Sequence, residues 1–177
     1  MARLLFTSSR DGVTEADVEA ALRPRFAPRK TLVTGGARGG DQIAERLWRQ
    51  WGGPVDSHPV SPQAWQRSRG AGYARNAQMV AEVQASAGGE CLAVIARCAD
   101  PSCERNEPHG SHGAVHCAGL AEAAGLPVTR VKARVAAPES DPGGGTPAEP
   151  AAGRHGRYYP PGVACPRGSA QAAEARR

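Results

Sequence analysis

Apolar residues along this chain fall into short unbroken runs, separated by stretches in which they recur every three or four positions. Leu4-Leu5-Phe6, the Thr31–Thr34 segment and Cys91–Ala96 do not alternate with polar residues, the mark of parallel strands buried on both faces. Between them, Val18, Ala21 and Leu22 form one helical stripe, and Ile43, Ala44, Leu47, Trp48 and Trp51 form a second. Asn76, Met79, Val80 and Val83 form a third within a predicted helix over 73–87. Thr14 with Asp17 three residues later reads as a capping box opening the first helix, while Gly52-Gly53 and Gly88-Gly89 stop the next two. Val55–Val60 is a predicted strand interrupted by Pro59, Ser61–Gly72 a polar loop holding Trp65, Arg67 and Arg69, His112–Ala124 a small-residue helix, and Pro127–Val131 a last strand. Strands alternating with helices predict an α/β fold: a Rossmann-like, doubly wound parallel sheet of about five strands with helices on both faces.

The pattern covers residues 1–132. Beyond it, residues 133–177 are dominated by Pro, Gly, Ala and Arg, with Tyr158-Tyr159 as the one aromatic feature, and are expected to be a disordered tail. The net charge of +5 is spread over both parts, too diffuse for a dedicated nucleic-acid surface. Met1-Ala2-Arg3 leads directly into a strand and no run reaches bilayer length, so a cytoplasmic chain without membrane contact is expected. Five cysteines in such a chain do not suggest a disulfide framework.

Chemistry concentrates in three places. Thr31–Asp41 ends a strand in Gly35, Gly36, Arg38, Gly39 and Gly40, then starts a helix; glycines there let a backbone approach a ligand, and a helix start favours a phosphate. No Gly-Lys-Ser/Thr follows, so it is not a P-loop, and it is not the strict dinucleotide fingerprint. A tight βα connection is the competing reading. Asp41 is expected to cap the helix. Ser9 and Arg10, at the end of the first strand, are expected to face the same crevice. Arg75 is suited to a bidentate phosphate contact and Asn76 to a base or ribose.

The third place is the loop over 97–112, where Cys98, Cys103, His109, His112, His116 and Cys117 crowd a short span. Tetrahedral zinc needs four such ligands. Cys98, Cys103, His109 and Cys117 are the expected set, with His112 or His116 as substitutes, holding a structural zinc that staples the loop. The competing reading is an exposed insertion with scattered Cys and His.

Thr7-Ser8-Ser9-Arg10, Val33–Asp41, Gly72–Met79 and His112–Val115 with Ala124–Val128 occur in an order that resembles the YspA/YpsA-related branch of the SLOG superfamily, often encoded by phages and actinobacteria. The resemblance implies a Rossmann-like fold that binds nucleotides or nucleotide-derived ligands. It assigns Gly35, Gly36, Arg38, Gly39 and Asp41 to a phosphate loop and Ser9, Arg10, Arg75, Asn76 and Gly113 to the same pocket. It also implies self-association. Relatives include Lonely Guy phosphoribohydrolases, whose catalytic Glu is replaced here by Cys117, and a thiol does not stand in for a carboxylate beside an oxocarbenium-like transition state. The expected function is therefore binding or sensing of a nucleotide-derived small molecule. The alternatives are an N-glycosidase with a substituted catalytic group (Asp41, His112 or His116) and a single-stranded DNA binder.

Overall fold

The computed structural model describes residues 1–134 apart from Arg69 and Asn106. The expected tail lies outside the described residues from position 135 on. Five strands, β1 (Arg3–Ser8), β2 (Thr31–Thr34), β3 (Val55–Ser57), β4 (Glu90–Ile95) and β5 (Val128–Lys132), alternate with helices. These are α1 (Glu15–Leu22), α2 (Gly40–Gln50), α3 (Pro62–Arg67), α4 (Ala71–Gln84) and α5 (His112–Ala123). The sheet is wholly parallel, in the order β3-β2-β1-β4-β5, so the chain steps outward from β1 to β3 and then crosses back to β4. The fold is Rossmann-like, and its switch point lies between the carboxyl ends of β1 and β4.

Strand residues alternate between two cores. Leu4, Phe6, Leu32, Leu92 and Val94 meet Val18 and Leu22 of α1 and Leu47 and Trp48 of α2. Leu5, Val33 and Cys91 face the other way, onto Met79, Val80 and Val83 of α4 and Cys117 and Ala121 of α5. Phe26 packs edge-on against Trp48 and Trp51, with ring centroids 5.0 and 5.5 Å away. The Thr14 capping box is present: Asp17 N–H donates to the Thr14 hydroxyl at 3.2 Å, and Thr14 N–H donates to the Asp17 carboxylate at 3.1 Å.

Two elements differ from the sequence expectation. The third strand stops at Ser57, because after His58 N–H donates to Thr34 C=O, Pro59 has no N–H to extend the ladder. The Ser61–Gly72 loop contains α3, started by Pro62 at a first-turn position and by the Ser61 hydroxyl accepting from Ala64 N–H at 3.2 Å.

The described residues divide into a main unit, Met1–Ala99 with the segment from Pro108 on, and a second segment, Asp100–Glu107. In the latter, Asp100 accepts from Ser102 N–H at 2.9 Å and from its hydroxyl at 2.7 Å, an Asx turn. No helix among the described residues is long and apolar enough to cross a membrane.

Candidate functional site

The connection from β2 to α2 passes through positive φ at Gly36 (59°) and Gly39 (91°), where any L side chain is strained. Space is as restrictive as conformation. A Cβ on Gly35 would strike the Arg75 guanidinium, one on Gly39 the Arg10 carbonyl, and one on Gly40 the Ser8 hydroxyl. The close approach these glycines permit is thus used in part by the chain's own Arg75, Arg10 and Ser8.

Asp41 does not cap α2. Gly39 holds the cap position without a side-chain bond, and Asp41 lies inside the helix with its carboxylate turned inward. It accepts from Ser8 N–H at 3.1 Å, the Ser8 hydroxyl at 3.0 Å and Ala37 N–H at 3.4 Å. Burial pushes its carboxyl up to about 6, against the pull of those bonds and of the nearby Arg75 charge. Beside it, Glu45 accepts from the Thr34 hydroxyl at 2.5 Å and the Ser57 hydroxyl at 2.6 Å. Burial alone would raise Glu45; those bonds and Arg49 outweigh it and hold the carboxyl below its ordinary range.

Arg75, at the start of the second turn of α4, reaches across to Gly35 and donates to His58 C=O at 3.3 Å. Its buried Nε has no hydrogen-bond partner among the described residues. Burial, and then the like charge of Arg10, make its positive charge costlier than usual, offset by Asp41. Two guanidinium groups therefore share the lip formed by the ends of β1 and β2.

The remaining expected residues are placed as follows. Ser9 is buried and structural: Ala96 N–H donates to its hydroxyl at 2.8 Å, and its oxygen lies 2.7 Å from the Ser111 hydroxyl, stitching the switch point shut. Arg38 is exposed and paired with Asp11 at 3.0 Å. The Asn76 carboxamide is buried, donating to Gly113 C=O at 3.4 Å and lying 3.4 Å from His116 Nδ1, while the space above Gly113 is open. His116 stacks edge-on with Tyr73 at 4.3 Å, and burial lowers its pKa.

The Cys/His loop supports a metal-binding group with one ligand exchanged. In the main unit, ligand atoms of Cys98, His109 and His112, all half-buried, lie within 4.8 Å of one another, while Cys103, also expected as a ligand, belongs to the second segment. His109 Nε2 and His112 Nε2 are 2.9 Å apart, and Cys98 Sγ is 3.8 Å from His112 Nε2. This group could hold a metal ion. Cys117, expected as a ligand, is not part of it. Phasing from His112 puts Cys117 with Ala114, Ala118 and Ala121 on the core face of α5, fully buried, where burial pushes its thiol up to about 11. A second group, Asp56, His58 and Glu82, also converges, and there Arg3 already bridges the two carboxylates at 2.9 and 3.6 Å.

Two open hollows of about 470 and 550 Å³ lie at the opposite, amino ends of the strands, around Lys30–Glu90 and around Arg3–Glu82, the second bordered by Glu82 of the Asp56 group. The contribution of Ser8, which holds the Asp41 carboxylate, is not singled out by the sequence, although Ser8 sits one residue before an expected site residue. No family model, curated protein or solved structure matches this chain.

Proposed function

We propose that the chain binds a phosphate-bearing, nucleotide-type ligand at the carboxyl edge of its sheet, through Arg75 and Arg10 beside the glycine turn. The observation that carries this reading is the Arg75 guanidinium, laid on Gly35 with a buried Nε donor that has no partner among the described residues. A buried cation with a donor to spare is costly until an anion meets it, and a planar guanidinium suits a phosphate. The motif order that resembles the SLOG superfamily supports the same reading. Binding without turnover is favoured over N-glycosidase activity, because the thiol at the Lonely Guy glutamate position is sealed in the core. Calorimetry with AMP tests it. The wild-type chain is expected to bind, and Arg75→Ala to weaken binding about tenfold or more, the loss of one charge-assisted contact. Absence of binding across a panel of nucleoside monophosphates would overturn the proposal.

The Cys/His group is proposed to hold a structural zinc. For bond lengths of about 2.0–2.3 Å, tetrahedral geometry places ligand atoms roughly 3.3–3.8 Å apart; the Cys98–His112 spacing of 3.8 Å meets this, and the two imidazoles, 2.9 Å apart, would open slightly around the ion. The loop is already pinned at its base, where Cys98 N–H donates to His109 C=O at 2.8 Å. Native mass spectrometry is expected to find one zinc per chain, lost in His112→Ala and kept in Cys117→Ala. Zinc retained by His112→Ala would sink the assignment.

A further inference from the structure

Trp65 is 38 % exposed, an unusual position for an indole. The ring lies on Gly72, where an added Cβ would come within 2.9 Å of the indole Cη2. Gly72 stands on the first turn of α4, three residues before Arg75 and four before Asn76, so the three share one face of the helix. The indole therefore rests on the helix turn just before Arg75, with the open space above Gly113 on the Asn76 side, since Asn76 donates to Gly113 C=O. Packing explains why position 72 is a glycine. It leaves unexplained why a large apolar ring, seated on a helix three residues before Arg75, keeps over a third of its surface in water.

We propose that the exposed indole of Trp65 is the stacking platform for the base of the bound nucleotide, setting it apart from simple phosphates and sugar phosphates. The inference rests on the reading of Arg75 as the phosphate partner. It deepens that reading by naming the second half of the ligand, a planar heteroaromatic ring. A π-face tolerates any base, so the platform supplies affinity with little discrimination among bases. The work is divided: Arg75, laid on Gly35, holds the charge, and the indole, laid on Gly72, offers a flat apolar surface.

Calorimetry on the full chain with AMP, ribose 5-phosphate and adenosine separates the two readings. Trp65→Ala is expected to weaken AMP binding about tenfold, the usual loss for one stacked base, and to leave ribose 5-phosphate affinity unchanged. Trp65→Phe is expected to restore most of the AMP affinity, which a merely structural role for the bulky indole would not predict, and an unchanged melting temperature reports an intact fold. AMP binding unaffected by Trp65→Ala, or AMP and ribose 5-phosphate bound equally well by the wild type, would overturn the platform while leaving the phosphate reading standing. Adenosine binding that depends on Trp65, with no binding of ribose 5-phosphate, would uphold the platform and remove the phosphate reading. No binding of all three ligands would remove both.

Discussion

Asp41 sits behind the glycine turn, where removal from water lifts its carboxyl from an ordinary 3.8 to about 6. Between those values the folded chain holds a proton that the unfolded chain has released. Stability contributed by this group is therefore greatest at low pH, declines as pH rises from about 4 to about 6, and is level above that. A shift of two units corresponds to roughly 3 kcal/mol at most. Asp17 and Glu45 are shifted the other way, so the informative quantity is the difference between wild type and Asp41→Asn in urea melts at several pH values. Asp41→Asn is expected to remove the decline. Arg75 helps to keep Asp41 ionised, so Arg75→Met is expected to carry the upper end of the decline above pH 6. A pH profile unchanged by either variant would show that Asp41 is better solvated than its position implies.

At the scale of elements, one hydroxyl joins the backbone bonds Ser9 N–H to Val94 C=O and Ser111 N–H to Ala96 C=O in holding the switch point. Ser9 accepts the buried Ala96 N–H and pairs with Ser111, which stands next to the metal-group residue His112. Ser9→Ala strands that amide and is expected to cost about 1–3 kcal/mol, read as a lower melting temperature. Loss of Ser9 is also expected to speed zinc release to a chelator, because the start of α5 is tied to β1 through the same atom. Elements with a strong periodic signal were legible in the sequence: the unbroken runs of β1 and β4, the stripe of α2 and the capping box of α1 all stand where the residues put them. What was hidden depended on phase or on neighbours. Cys117 looked like a ligand by proximity along the chain, yet its spacing from Ala114, Ala118 and Ala121 already placed it on an apolar helix face. Ser61-Pro62 was a helix start concealed in a polar stretch, and six residues were too few to show a period. The inward turn of Asp41 depends on Ser8 from another strand, which no local pattern reports.

For the whole molecule, the sheet divides the apolar interior into two halves that do not share side chains. Leu22 belongs to the half under α1 and α2, and Val83 to the half under α4 and α5; both are fully buried. Leu22→Ala is expected to cost about 2–5 kcal/mol. Because a layer of strands separates the two positions, the double variant Leu22→Ala/Val83→Ala is expected to lose the sum of the single losses to within about 0.5 kcal/mol in urea denaturation. A marked departure from additivity would mean that the two halves yield together through the sheet.

The fit of Gly39 beneath the Arg10 carbonyl carries a consequence for how a visitor would arrive. The loops after β1 and β2 are keyed into each other like two stones of an arch, so neither can swing outward alone. For the ligand proposed above, that interlock favours an entry rate set by collision and steering, expected to fall with added salt in stopped-flow binding.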